Sequence, residues 1–404
     1  MNRFKRTMIG LGVAAALSLS TAQAQVSDGI IKIGVLSDMS SLYTDLAGAG
    51  SVVAVKLAVE DSGIEKRGYK VEVVSADHQN KADIGSAVAS KWYDAEKVDV
   101  IVDTPNSGVA LAVSGITKDK GKAFLASGPG TSDLTGKSCS PNTVHWAYDT
   151  WMLANGTGTA ITKAGGDTWF FITADYAFGQ ALERDTTAAV LKNGGKVIGG
   201  VKAPINNQDF SSFLLQAQSS KAKIIGLANA GGDTTNSIKQ AAEFGIVKGG
   251  QKLAGLLVFL TDIHSLGLQT AQGLTFTETF YWDQNDASRA FSKRFAALDK
   301  GIHPTMVHAG VYSSVLHYLK AVEALKSDDG TKVVAKMKEM ATDDPLFGKG
   351  TIRADGRKIH PAFLVQVKTP AESKYPWDYY KIVATIPADQ AFRPMADGGC
   401  SLVK

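Results

Sequence analysis

Four short segments of the chain carry residue types that can grip a small anion without reacting with it. They are Asp38-Met39-Ser40-Ser41-Leu42-Tyr43, Thr104-Pro105-Asn106-Ser107, Ser127-Gly128-Pro129-Gly130-Thr131-Ser132 and Asp175-Tyr176-Ala177-Phe178-Gly179. Hydroxyls beside free backbone N–H groups suit a carboxylate, each helix terminus adding about 0.3–1 kcal/mol and up to about 2 kcal/mol when partly buried. The rings suit an apolar or aromatic body. Groups for bond-making are sparse: there is no GxSxG elbow, and no paired carboxylates stand at the strand ends. His145 and His264 leave open a Ser–His–Asp constellation assembled across the fold, and with it an exported hydrolase as a competing reading. The seven His show neither HExxH nor any other ligand spacing, so no metal and no cofactor are expected. Gly48-Ala49-Gly50 starts like a dinucleotide fingerprint, but it lies too far past the strand and Val53 replaces the third glycine. Each candidate also has a plainer reading. Ser107 and Thr131 are residue types that cap helices, and Tyr43, Phe178 and Trp282 can be packing residues.

The elements that must position these segments alternate regularly. Ile30 to Leu36 is near-continuously apolar and β-branched, which predicts a strand buried on both faces. A helix with Val52, Val55 and Val59 on one face follows, then a strand at Val71–Ala76 and a helix with Ile84, Val88 and Trp92. A strand at Val98–Val102, a helix through Val109, Val113 and Ile116, and a strand at Ala123–Ala126 continue the series. The pattern restarts with strands at Thr168–Thr173, Val197–Ile198, Lys223–Leu227 and Leu256–Leu260, separated by helical stretches. Asp286 to about Met340 reads as helical, and short strands return at Phe363–Val365 and Tyr379–Thr385. Strand–helix repetition with short connections predicts α/β architecture in two doubly wound, mostly parallel sheets. Each of the four segments falls beyond the carboxyl end of a strand, where such sheets bind ligands.

Composition narrows the class further. The 404 residues, 44% hydrophobic and 20% charged, suffice for two or three packed units and argue against disorder. Arg3, Lys5 and Arg6 precede the apolar run Met8–Leu19, and Ala22-Gln23-Ala24 follows as a cleavage site, so residues 1–24 read as a secretory signal peptide. Its three basic residues, with no acid among them, account for most of the net charge of +4, leaving 4 − 3 = +1 for the mature chain. Nucleic-acid binding thereby loses its electrostatic argument. No Cys stands at the cleavage site to carry a lipid, which points to a free periplasmic protein. Cys139 and Cys400 are the only cysteines. In an oxidising compartment one disulfide is the economical reading, with two free thiols as the alternative.

In order and spacing the chain resembles the periplasmic substrate-binding proteins of branched-chain amino acid ABC transporters, the Leu/Ile/Val-binding type. The resemblance runs from about Ile30 to Phe392. It rests on Ile31–Leu36 with Met39-Ser40, on Thr104–Ser107, on Gly128–Thr135, on Asp175–Gly179 and on Gly350–Arg357. It implies a two-lobed type I periplasmic binding protein fold with three crossover strands, placed near His145–Thr150, Phe280–Asp283 and Gly350–His360. One lobe would comprise residues 28–148 and 283–352, the other 149–282 and 353–395, with 396–404 a C-terminal tail. Ser107 matches the hydroxyl that holds the ligand carboxylate. The small residue with a Ser/Thr two positions on matches Gly128 and Gly130, or Pro129 and Thr131 if the loop slips by one, Thr131 being favoured because it supplies the hydroxyl; Ser127 adjoins them. Tyr43, Tyr148, Phe178, Thr261 and Trp282 complete the implied ligand contacts. Amino-acid binders of this type meet the ligand ammonium with a second-lobe acid, but the matching stretch, Val258-Phe259-Leu260-Thr261-Asp262, has no Glu there. Asp262 either substitutes or caps the helix beginning near Ile263. A buried ammonium without a carboxylate costs several kcal/mol, so an aromatic or aliphatic acid stands beside an amino acid as the expected ligand. The resemblance further implies an ABC permease and its ATPase as partners, a monomer, and no enzymatic activity. A secreted sensory ligand-binding protein is the alternative.

Overall fold

Strands that are apolar on both faces must be covered on both faces. The computed structural model describes residues 26–403 and meets this demand with two parallel sheets wrapped in helices; the expected signal peptide lies outside the described residues. The first sheet is built from β1 (Ile30–Ser37), β2 (Lys70–Asp77), β3 (Val100–Asp103), β4 (Ala123–Ala126) and β5 (Thr143–His145) in the order β2-β1-β3-β4-β5. Its register sets Ile33 between Val73 and Val100, so the β-branched faces coincide across the sheet. The second sheet takes β6 (Thr168–Ala174), β7 (Lys196–Ala203), β8 (Ile224–Ala228) and β9 (Lys252–Gly255) in the order β7-β6-β8-β9. The two orders reverse beside their first strands, which is where open α/β sheets leave a crevice.

After β10 (Thr275–Glu278) the chain returns to the first sheet. Helices Asp286–Leu298 and Met306–Leu325 pack on helix Gly48–Ser62, and helix Gly330–Glu339 packs on β4. The C-terminal part adds a hairpin of β11 (Thr351–Ile352) and β12 (Lys358–Ile359). It also adds β13 (Ala362–Val367) and β14 (Tyr380–Ile386), which join β10 in an antiparallel sheet, order β10-β13-β14. Cys139 and Cys400 form a disulfide with Cα atoms 5.6 Å apart, pinning the tail to the loop before β5. Closing so long a loop removes roughly 5 kcal/mol of unfolded-chain entropy as an upper figure.

One expected element is displaced. The strand predicted at Leu256–Leu260 lies at Lys252–Gly255 instead, paired with β8 as far as Leu227 and Gly255. Leu256, Leu257, Val258 and Phe259 form a buried loop, and Leu260 opens helix Leu260–Leu266. A short apolar run reports burial, and a buried loop gives the same signal as a buried strand.

Where the chain passes between the sheets it is fastened by Arg357, which is 0% exposed. Its Nη2 donates to the Trp146 carbonyl (2.5 Å), Nη1 to the Tyr148 carbonyl (3.0 Å) and Nε to the Lys358 carbonyl (3.0 Å). Asp149 stands 3.5 Å from Nη1, and the guanidinium lies 4.2 Å from the centre of the Phe392 ring. Removing one partner of a buried pair strands the other charge at a cost of about 3–5 kcal/mol. Arg357→Met is therefore expected to lower the urea-unfolding free energy by about that amount. Adding Asp149→Asn should recover part of the loss, and an Arg357→Met chain as stable as the parent would refute the assignment.

Candidate functional site

The loops at the carboxyl ends of the strands of both sheets face one another. β3 ends on Asp103 and is followed by Thr104, both buried and both left-handed, with φ of +77° and +62°. Two such residues in succession carry about 1–3 kcal/mol of strain each, a feature that clusters at ligand clamps. They turn the chain into Pro105-Asn106, and the Asn106 side chain accepts from the N–H groups of Gly108 (2.9 Å) and Val109 (3.1 Å). Asn106, rather than Ser107, thus caps helix Ser107–Asp119. The Ser107 hydroxyl instead accepts the N–H of Thr131 at 3.2 Å. Thr131 caps the short turn Ser132–Thr135, its Oγ1 accepting from the Asp133 N–H at 3.3 Å.

Glycines bring the loops this close. A Cβ on Gly128 would stand 2.5 Å from Asp103 Oδ1 and 2.8 Å from the Pro105 Cα, so only a bare backbone fits. A Cβ on Gly130 would meet Phe178 at 2.6 Å and Tyr148 at 3.1 Å. The Tyr148 hydroxyl donates to the Gly128 carbonyl (2.5 Å), and His145 Nε2 bonds the Pro129 carbonyl (2.6 Å). Ser107, Gly128, Pro129, Thr131, Tyr148 and Phe178 are therefore drawn together. Tyr43, from the loop after β1, joins them by hydrogen-bonding its hydroxyl to that of Tyr176, which precedes the helix after β6. The rings of Tyr43, Tyr148, Tyr176, Phe178 and Phe259 close around a cavity of only ≈ 10 Å³, about what one water needs. No lysine or arginine lines it. Larger hollows, of ≈ 450, ≈ 490 and ≈ 360 Å³, open elsewhere, beside Trp151, Leu274 and Val59. None of these three is lined by any residue of the four segments.

Of the predicted residues, Tyr43, Tyr148 and Phe178 line this cavity, whereas Ser107, Gly128, Pro129 and Thr131 do not; the others lie elsewhere. The Ser127 hydroxyl is buried without a partner and turns toward Gly310. Thr261 and Asp262 occupy the first turn of helix Leu260–Leu266, and the Asp262 carboxylate accepts the N–H of Phe259 at 2.8 Å. Burial raises the Asp262 pKa to about 7. Trp282 packs 4.1 Å from His303 and donates its Nε1–H to the Trp377 carbonyl (2.9 Å). His264 stacks on Trp377 at 4.0 Å with Nδ1 on the Tyr379 hydroxyl. Burial holds the His145 imidazole well below its ordinary pKa. Among the described residues, no hydrogen bond joins either histidine to a serine. Sequence reasoning missed Tyr176, Phe259 and Leu257 as lining residues. The two aromatics lay inside segments already singled out, and correct placement of β9 would have put Leu257 and Phe259 beyond a strand's carboxyl end.

A model of the periplasmic binding protein family matches residues 30–374. The chain belongs to that family. It is similar to a periplasmic binding protein from Burkholderia mallei at 52% identity, over 93% of this chain and all of that one, with a TM-score of 0.91. It is also similar to a branched-chain amino acid ABC transporter periplasmic ligand-binding protein from Burkholderia xenovorans LB400, at 40% identity and a TM-score of 0.82 over 93% of this chain and 100% of that chain. A solute-binding protein of an ABC transporter from R. palustris, in complex with benzoate, shares the fold with a TM-score of 0.80 and 22% identity over 92% of this chain and 100% of that one.

One backbone contact joins the loop after β8 to the loop after β1. Gly231 has φ +58°, and a Cβ there would lie 2.7 Å from the Leu42 carbonyl oxygen and 3.2 Å from the Tyr43 ring. Gly231→Ala combines a left-handed penalty with a clash between lobes. Small-angle scattering should show a larger radius of gyration for this variant while each lobe keeps its helical circular dichroism; an unchanged radius would count against the contact.

Proposed function

We propose that the chain is a periplasmic, non-enzymatic solute-binding component of an ABC importer, and that its cargo is a compact acid with an apolar or aromatic body. One observation carries the ligand class. The hydroxyls of Ser107 and Thr131 each accept a backbone N–H, so each keeps its own O–H to donate to a carboxylate. They stand at the starts of a helix and of a tight turn, and the loop that carries Thr131 touches Tyr148 and Phe178 through Gly128 and Gly130. Hydrogen bonds of hydroxyls to a charged acceptor contribute about 1.5–3 kcal/mol each, and the rings supply apolar burial. The benzoate-bound neighbour from R. palustris supports the same class. Asp262, the acid that could stand in for the family's ammonium partner, caps its own helix through one oxygen, which accepts the Phe259 N–H, and it does not line the ring cavity. That favours an acid without an ammonium group, and a branched-chain amino acid is the second reading.

In this reading the lobes are residues 28–148 with 283–352 and 149–282 with 353–395. Cargo bridging them stabilises only the closed form. A permease and its ATPase would then recognise the closed monomer. No helix among the described residues is long and apolar enough to cross a membrane. A calorimetric and thermal-shift panel of benzoate, 4-hydroxybenzoate and leucine tests the proposal. An acid present at 100 times its Kd should add about 2.7 kcal/mol of apparent stability, and Ser107→Ala should weaken binding by roughly 10- to 100-fold. Tight leucine binding, with none for the aromatic acids, overturns the ligand class.

Asp103 makes the site sensitive to pH. Burial raises its carboxyl to about 6, although Ser37 donates to it at 2.7 Å, and Asp38 adds repulsion. A carboxyl raised in the folded state binds more protons folded than unfolded, so its contribution to stability falls as pH rises from about 4 through 6. Above that range it is an uncompensated anion beside Gly128. An anionic ligand should therefore bind more weakly at pH 8 than at pH 5.5, and Asp103→Asn should flatten the profile by strengthening binding at the higher pH. A profile unchanged by that substitution would count against Asp103.

A further inference from the structure

The helix that delivers Phe178 also reaches the carboxylate loop at a second point. Asp185 lies seven residues after Phe178 in helix Ala177–Lys192, two turns on and therefore on the same face. Its Oδ2 accepts from the hydroxyls of Ser132 and Thr150, both at 2.7 Å. Thr150 Oγ1 in turn accepts the Ser132 N–H at 3.1 Å, and the Thr150 N–H donates to the Gly130 carbonyl at 2.7 Å. Arg184 completes the grip: Nε donates to Asp185 Oδ1 (2.9 Å), Nη2 to the Ser132 hydroxyl (2.9 Å), and Nη1 pairs with Asp133 (3.1 Å). Asp185 is 7% exposed and Ser132 1%.

Ser132 is the residue after Thr131, whose N–H bonds Ser107. A carboxylate buried in one sheet's helix is thus held by donors of which two, Ser132 and Thr150, lie outside that helix and adjoin the loop following the other sheet's β4. Those bonds do nothing for the helix itself. We propose that Asp185 is a positioning residue: it fixes the loop from Gly128 to Asp133 from across the cleft, so that Thr131 stands opposite Ser107. Because Phe178 rides on the same helix, arrival of the ring and assembly of the carboxylate site are one movement. The claim about the loop stands on the bonds alone; the claim about binding rests on the carboxylate reading above.

The two claims separate in one experiment on the full mature chain. Hydrogen–deuterium exchange without ligand follows peptides spanning 127–137, with 30–37 as the core control. Asp185→Asn, which replaces an acceptor oxygen with a donor, and Asp185→Ala should each speed exchange in 127–137 by on the order of tenfold, equivalent to about 1.4 kcal/mol. Exchange in 30–37 should stay unchanged. Ser132→Ala and Thr150→Val, each removing one hydroxyl, should reproduce part of the effect. Titration with benzoate should then show a Kd raised roughly tenfold by Asp185→Asn, mainly through faster dissociation. Unchanged exchange in 127–137, or a rise shared equally by 30–37, overturns the positioning role. Local exchange that rises as expected in a chain that binds none of the acids leaves the positioning role supported and the carboxylate reading refuted.

Discussion

The arrangement depends on a buried guanidinium that has nowhere to go. Burial pushes Arg357 down to about 10 and raises Asp149 above the ordinary carboxylate range, so each is drawn toward its neutral form. A charge in that position is tolerable only when its donors are used, and here they are used on the main chain of Trp146 and Tyr148. The backbone that carries the Tyr148 ring is therefore fixed by an interaction too costly to break.

Under the proposed function the two sheets would divide the labour. The first would supply the polar side, through Ser107 and Thr131, on loops held together by Gly128 and by strained backbone at Asp103 and Thr104. The second would supply apolar cover through Phe178, Leu257 and Phe259. The Tyr43–Tyr176 hydroxyl pair crosses between them.

Much of this was legible in sequence because parallel strands and the helices that cover them leave separate periodicities. Ile30–Leu36, Val71–Ala76 and Thr168–Thr173 fall within observed strands, and the loops after β1, β3, β4 and β6 converge as the strand-end rule requires. What failed has physical causes. Leu256–Leu260 is apolar because it is covered, and coverage does not reveal hydrogen bonding. Asp262 sits where a cap and a ligand contact look alike, and only the 2.8 Å bond to Phe259 shows the cap. Trp282 is an aromatic whose neighbours, His303 and Trp377, come from distant segments. Asp185 gave no sequence signal, since its partners Ser132 and Thr150 lie 53 and 35 residues away and belong to different elements.

The electrostatics of the crevice follow from what the fold leaves uncompensated. Asp103, Asp262 and Glu278 are all buried, and desolvation is the leading reason each carboxyl is raised. Glu278 and Asp262 add mutual repulsion, and one Glu278 oxygen has no hydrogen-bond partner. The cavity lining itself offers hydroxyls and rings rather than a cation. Under the proposed function, an anion would be held by neutral donors whose O–H and N–H dipoles are fixed in advance, each strengthened by the low local dielectric. Such donors need no counter-charge to be stripped of water on closure, so they avoid the desolvation penalty that a buried Lys or Arg would add. The same choice would make the nearby carboxyls matter: with no cation to mask them, the ionisation of Asp103 would be felt by an anion held beside Gly128.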